Sequence, residues 1–440
     1  MNNETHTDQS TGQPTHVVVL GSGYAGVHAC QKLIDKQNPS ENLKVTLISD
    51  VDHMLYVTMI YEVPAGNLAP SSIRQPIRTM FTADNVHFQK GTATEINTQN
   101  QTVHYKTDGR AEDLDSTQEL VVSYDYLVSA IGSETEFFGT PGAGEHAYRL
   151  KDLNQAKELK NTLIHNFERA NLETDKEKIK ELLSFVVVGG GPTGVTLTAK
   201  LANLLNHELA DSFPDLIDYA DITILEAKDT VVDRAGLWFS NKVAGSLAEM
   251  DRVSIQTGCC VDRVRPDCVV YNDGEELRSE CVIWTAGVKA REINFANEDV
   301  VNKDEHSQRI HVTPKLYLPK DEQVYVVGDQ AWVERIDSKQ PYPMRAQFAV
   351  RQGQQAAENI LADIREHKKQ NFYWNDKGIV ISVGHGRTYA EVFGIKMSGL
   401  PATIAYKSIY LMSTIGIRNK FRAMLEWFMN LFLPRDISEL

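Results

Sequence analysis

Two short strings in this chain have the residue types and spacing to hold phosphate. The first is Gly21-Ser22-Gly23-Tyr24-Ala25-Gly26 and the second is Gly189-Gly190-Gly191-Pro192-Thr193-Gly194. Six-residue patterns of small residues arise by chance, so context decides. Each follows a valine-rich run, residues 16–20 or 185–188, and each opens a stretch of helical periodicity. In that setting the first glycine makes a tight turn, the second lets the backbone approach a pyrophosphate, and the third packs helix against strand. The helix amino terminus then offers free N–H groups and a positive dipole end to the phosphates.

An acid at the end of the second strand of such a unit holds the adenosine ribose. In the second unit Glu226 takes that place and would repel a 2'-phosphate, which points to NADH, although Lys228 nearby weakens the preference. In the first unit the place falls to Ser49 with Asp50 beside it, and either can bond a ribose. Two dinucleotide units imply two dinucleotides, most economically FAD in the first and NADH in the second. A strand-like run over residues 324–329 ends in Val-Gly-Asp, and an Asp there, Asp329, commonly fixes a flavin ribityl chain. A bare helix cap is the other reading of Asp329.

The elements that must position these groups alternate strand and helix, an α/β pattern. Residues 16–20, a helix to about Lys36 and residues 44–48 form one βαβ unit. Residues 124–130 give a further buried strand. Leu153, Ala156, Leu159, Leu163 and Phe167 recur at helical spacing after the candidate cap Asp152, and the charged residues 173–181 are expected to continue that helix. Residues 185–188, a helix and residues 222–225 repeat the βαβ unit. The last third is glycine-punctuated to Gly399 and then strongly apolar. There Phe421, Met424, Leu425, Phe428, Met429 and Phe432 make one greasy helical face, with Trp427 beside it. Lys407, Arg418, Lys420, Arg422 and Arg435 face only Glu426 in that stretch, a local reversal of charge that suits an anionic lipid surface. Packing of the same face on the protein's own core or on a dimer partner is the competing reading.

Composition excludes several classes. The chain has 440 residues, 45 Lys+Arg against 59 Asp+Glu and a net charge of -14, which repels nucleic acid. Five cysteines, an odd number, do not make a disulfide framework, and a reducing compartment follows. None lies between Val51 and Gly91, where disulfide reductases of this plan need a pair. Cys30 falls in the first helix and Cys259, Cys260, Cys268 and Cys281 in the second nucleotide unit, away from the flavin positions that sulfide oxidation needs. Histidines lack metal spacing, so no metal is expected. The polar residues 1–16 carry no export or organelle signal, and no 18-residue apolar run predicts a spanning helix.

With these pieces in order the chain resembles the type II NADH:quinone oxidoreductases. Phe137-Phe138-Gly139-Thr140-Pro141-Gly142 with Glu145-His146-Ala147 and Leu150-Lys151 looks like the family's approach to its nicotinamide domain. Val282-Ile283-Trp284-Thr285-Ala286-Gly287-Val288 is similar to one of its most characteristic strings, Tyr61-Glu62-Val63 with Ala65-Gly66 matches another, and Ala346-Gln347, Ala349 and Gln352-Gly353 look like its quinone-site helix. The likeness runs from about His16 to Arg435. It implies an FAD domain over 15–150 and 305–373, an NADH domain over 151–304, a membrane-binding and dimerisation region over 374–440, and a flexible stretch over 1–14. It also implies Gln347 at the quinone carbonyl, with Ala346, Ala286 and Gly287 at the cofactors, a homodimer, and attachment to the cytoplasmic face of a membrane.

Three positions depart from that pattern: Thr196 and Arg351 stand where the family has Glu and Gln, and Ser49 where it has an acid. Thr196 and Arg351 fall in the expected catalytic region. They leave open a soluble NADH-dependent flavoprotein with another acceptor, and a redox-sensing protein without turnover. Arg351 is expected either to line the acceptor tunnel one turn from Gln347 or to sit in a structural ion pair.

Overall fold

The computed structural model describes residues 13–38, 41–84, 86–108, 117–384, 386–430 and 432–440, so the flexible stretch expected over 1–14 lies almost wholly outside the described residues. In chain order the elements that matter here are β1 (Thr15–Leu20), α1 (Tyr24–Lys36), β2 (Leu43–Ser49), β3 (Tyr126–Ser129), β4 (Ser184–Val188), α2 (Pro192–Leu204), β5 (Asp221–Glu226), β6 (Cys281–Trp284), β7 (Asp321–Val326), α3 (Ala346–Ile364), α4 (Leu400–Ser413) and α5 (Ile417–Met429). They belong to two compact units. One holds the chain through Met54 with Pro76–Ser133 and Lys289–Trp374; the other holds Leu55–Gln75, Glu134–Val288 and Asn375–Leu440.

The first unit is built on a six-stranded sheet in the order Tyr317–Leu318, β7, β3, β1, β2, His87–Lys90. β1 is central and parallel to both neighbours, with Val17 opposite Val45 and Tyr126. A strand buried on both faces shows no alternation, which is why Val17, Val18, Val19 and Leu20 are all apolar and fully buried. Two glycines let α1 sit close to its surroundings: a Cβ on Gly26 would lie 1.9 Å from the Gly21 carbonyl oxygen, and one on Gly353 of α3 2.1 Å from the Ala25 carbonyl oxygen.

The second unit repeats the plan with five parallel strands in the order Ala147–Tyr148, β6, β4, β5, Val253–Thr257. Asp152 caps the helix Leu153–Leu172 as expected, its carboxylate accepting from Gln155 N at 2.9 Å. The helix does not continue through residues 173–181. Glu173 is extended, and Asp175 caps a separate helix, Lys176–Leu183, by accepting from Glu177 N. An Asp side chain that bonds its neighbours' backbone competes with helix interior and favours a cap, so the polar stretch restarts the helix.

Residues 375–440 pack within this second unit. An antiparallel meander, Gly378–Ser382, Thr388–Val392 and Ile395–Ser398, supports α4. α4 turns Ala402 and Tyr406 inward, and α5 turns Asn419 and Ala423 inward. Asn419 donates to the Arg74 carbonyl at 2.8 Å, and Glu426 accepts from Ala69 N and the Ser72 hydroxyl at 3.0 and 2.7 Å. Between the helices the Tyr56 hydroxyl donates to the Ile415 carbonyl at 3.0 Å and accepts from its N–H at 2.7 Å. Beyond α5, Arg435 is buried against Glu208 at 2.6 Å.

The apolar face of α5 points away from this packing. Phe421 is 65% exposed, and Met424, Leu425, Phe428, Met429 and Phe432 are also open, joined on α4 by Ile404, Ile409 and Met412. The protein's own core does not cover that face. Among the described residues no helix is long and apolar enough to cross a membrane.

Candidate functional site

In the first unit three backbone ends meet. Gly21 adopts φ +94° so that β1 can turn into α1, whose N-cap Gly23 makes no side-chain capping bond. A Cβ on Gly23 would meet nothing within 4 Å, so the first turn of α1 is open to a ligand. The turn after β7 comes close: a Cβ on Gly328 (φ +72°) would lie 3.2 Å from Ala25 Cβ and 3.6 Å from Ala349 Cβ. The α1, Gly328 and α3 ends thus share one cradle. Asp329 is half-buried there and accepts from the Ser133 hydroxyl at 2.7 Å, while Gly328 N donates to Gln352 at 2.7 Å. The Gln330 side-chain amide nitrogen, fully buried, has no hydrogen-bond partner among the described residues. An open helix end and a half-buried acid in one cradle fit a flavin dinucleotide.

Sequence reasoning missed the residue that fixes this turn. Arg309 is buried, donates to the Ala331 and Tyr342 carbonyls at 2.8 Å, and lies 5.5 Å from the Trp332 ring. Burial pushes its guanidinium down to about 10, opposed by the charges of Asp329 and Asp304. Its only advance signal is an Arg ahead of an apolar run, which does not distinguish it from a surface charge.

At the end of β2, Ser49 is buried and its hydroxyl lies 2.9 Å from that of Ser22 in the glycine turn. Asp50 is more open and pairs with Arg291 at 3.0 Å. Tyr24 and Ala25 are buried in the first turn of α1. Gln347 is half-buried in the first turn of α3, one residue after Ala346. Arg351, one turn on, makes no acid pair among the described residues: its guanidinium lies 4.3 Å from the Trp374 ring centroid and donates to Gln354 at 2.8 Å. Its charge, after burial, helps hold the His28 imidazole below its usual range.

The second unit repeats the cradle in different residues. Gly189 (φ +105°) turns β4 into α2, whose N-cap Gly191 is uncapped by any side chain and open at its Cβ, with Pro192 at the first helical position and Thr193 next. A Cβ on Gly194 would lie 2.0 Å from the Gly189 carbonyl oxygen. Glu226, at the end of β5, folds its carboxylate onto this turn, accepting from Gly190 N at 2.6 Å and Lys228 N at 2.9 Å. The Lys228 ammonium is paired with Asp233 and so turned away from the strand end. Trp284 of β6 donates to the Ala286 carbonyl at 2.8 Å, which holds Ala286 against Gly189, and Gly287 takes φ +71° beside Phe138. Thr196 is buried within α2. All five cysteines are free thiols; Cys30 is fully buried, which pushes its thiol up to about 12.

The family model for pyridine nucleotide-disulphide oxidoreductases matches residues 15–353. A type II NADH:quinone oxidoreductase of Mycobacterium tuberculosis is 29% identical over 433 residues, covering 95% of this chain and 89% of that protein. One from Staphylococcus saprophyticus is 27% identical over 402 residues, covering 89% and 93%. Among solved structures, NDH2 of Plasmodium falciparum in complex with NADH superposes with a TM-score of 0.88 at 17% identity, covering 97% of this chain and all of that one. At that identity the likeness speaks for the fold.

Proposed function

This chain belongs to the pyridine nucleotide-disulphide oxidoreductase family, and from that premise we propose that it is a type II NADH:quinone oxidoreductase, using FAD in the first unit and NADH in the second. The observation that carries this reading is the pair of uncapped, glycine-opened helix ends, one per unit, with Glu226 folded onto the second. Bound FAD supplies the hydride acceptance and electron transfer that no side chain provides. The protein's part is binding and alignment. Gly21–Gly26 and the α1 end take the FAD pyrophosphate, Ser49 and Asp50 the ribose, and Asp329, set by Ser133, the ribityl chain. Gly189–Gly194 and Glu226 take NADH, with Ala286 and Gly287 beside it and Thr196 within α2. Gln347 donates to the acceptor carbonyl as negative charge develops on it, and Arg351 stands one turn further along α3. The exposed apolar face of α4 and α5, with its surplus of Lys and Arg, supports attachment to an anionic membrane surface from the cytoplasmic side, where a lipid-dissolved quinone is available. The same surface is open to a second copy in a homodimer. Rapid mixing tests the reading: NADH bleaches the bound flavin and a long-tailed quinone restores its colour. A flavin that NADH does not reduce within seconds refutes it.

A further inference from the structure

A buried polar cluster in the second unit has no part in the sites above. Glu62, at the end of the 3-10 helix Val57–Glu62, is 1% exposed. Its Oε1 accepts from Lys200 Nζ at 2.9 Å and from the Tyr406 hydroxyl at 3.0 Å, while its Oε2 is buried with no hydrogen-bond partner among the described residues. From Tyr406 the bonding continues to the Tyr61 hydroxyl at 3.2 Å and from there to the Tyr410 hydroxyl at 2.7 Å. Tyr410 is partly exposed on α4, next to the exposed Ile409 and close to Met412. A fully buried carboxylate is therefore joined to the apolar surface of α4 by three phenols in series.

We infer that this chain is a proton wire, with Glu62 as the proton store and Tyr410 as its outlet on the surface of α4. The inference rests on the quinone reading above. Reducing a quinone to a quinol takes two electrons and two protons, and NADH brings two electrons and one proton as a hydride. One proton per turnover must come from elsewhere. Because Tyr406 donates to Glu62, the hydroxyls align from Tyr410 through Tyr61 and Tyr406 to the carboxylate, the order that loads a proton onto Glu62. The Lys200 ammonium balances the empty carboxylate, so unloading restores a neutral pair rather than a bare buried anion. In delivery the Tyr410 O–H bond breaks as the quinol O–H forms. The Tyr410 oxygen takes a proton from Tyr61, Tyr61 from Tyr406, and Tyr406 from the Glu62 carboxyl, which is refilled from water between turnovers. Burial, with the charge of neighbouring groups, pushes the Tyr61 and Tyr406 phenols well up, so they hand protons on rather than ionise.

The test uses the full-length holoprotein and the variants Glu62→Gln and Tyr410→Phe. Ferricyanide serves as an acceptor that takes electrons without protons. Expected is a loss of about 10²-fold in quinone reduction, the scale of a missing proton donor, with ferricyanide turnover retained and a solvent deuterium isotope effect that differs from wild type. Should Glu62→Gln fail to fold, Tyr410→Phe, which removes one partly exposed hydroxyl, carries the kinetic test. Wild-type quinone rates in the variants overturn the wire, as does an equal loss with both acceptors. If no quinone reoxidises the wild-type flavin, the underlying reading is overturned and the wire falls with it.

Discussion

Replacing Glu226 by Gln removes one charge from the proposed NADH cradle, at its adenosine-ribose end, and leaves its shape. The carboxylate accepts two backbone N–H bonds, from Gly190 and Lys228, at 2.6 and 2.9 Å; the amide oxygen keeps one and its NH2 faces the other donor. For NADPH the relevant contact is the 2'-phosphate, with a charge of about -1.5 to -2. Like unit charges 4 Å apart repel by about 1 kcal/mol in water and about 4 kcal/mol at an effective dielectric of 20. Glu226 is half-buried, which places the penalty between these limits. A repulsion of about 2 kcal/mol corresponds to a preference of roughly 30-fold for NADH. The expected outcome is a kcat/KM ratio of NADH to NADPH that falls about 10-fold or more in Glu226→Gln. Part of the fall comes from a loss of about 1 to 2 kcal/mol with NADH as the charge-assisted bond to the ribose disappears. Lys228 is held by Asp233, so adding Asp233→Asn frees an ammonium for the phosphate and narrows the ratio further. Raising the salt concentration should erode the wild-type preference, because a half-exposed charge is screened. A ratio within twofold of wild type in Glu226→Gln, or equal use of both donors by the unmodified protein, refutes the electrostatic argument.

Converting Phe421, Met424 and Phe428 to Ser should abolish sedimentation with anionic lipid vesicles and leave the melting temperature within a few degrees, since these side chains are exposed; continued sedimentation refutes the membrane reading. Changing Arg351 to Gln removes a stacking contact with Trp374 worth about 0.5–1 kcal/mol, and should shift the kcat/KM ratio between an acidic and a neutral quinone about 10-fold with flavin reduction unaltered; an unchanged ratio assigns Arg351 to structure. Arg435→Ala should cost about 3 kcal/mol in denaturant unfolding, because it strands the half-buried Glu208. Burial alone would raise the Glu208 carboxyl, but the Arg435 bonds hold it below its usual value. Its contribution is therefore complete above the unfolded glutamate pKa of about 4.3 and fades as pH falls through the lower folded value. Acid-unfolding curves of wild type and Arg435→Ala should converge there.

What was legible in the sequence followed period and glycine chemistry. Val17–Leu20 and Phe185–Val188 read as buried strands because a doubly covered strand leaves a continuous apolar run, and both glycine turns have the φ angles that excluded other residues. Asp152 was legible as a cap because its role is local. Contacts set by distant chain were not legible. Arg291 holding Asp50, Arg309 bracing the Asp329 turn and Glu62 meeting Tyr406 across more than 300 residues leave no pattern in a linear string. The break at Glu173 was missed for a different reason: a run of charges has no apolar stripe whose interruption would mark the restart.

Tyr56 gives the joint between α4 and α5 an unusual tolerance of its surroundings. Its single hydroxyl occupies both the N–H and the C=O of Ile415, the backbone groups that a turn normally leaves to water. In a hydrocarbon medium an unmatched peptide group costs several kcal/mol, which is why irregular backbone is ordinarily kept out of lipid. Here that solvation is supplied from within by one phenol that is itself 1% exposed. On a membrane-bound protein, as proposed above, the turn would sink below the headgroups without stranding Ile415, and the charged side chains of the two helices, Lys407, Arg418, Lys420 and Arg422, rather than the polarity of the bend, would limit how deeply they immerse.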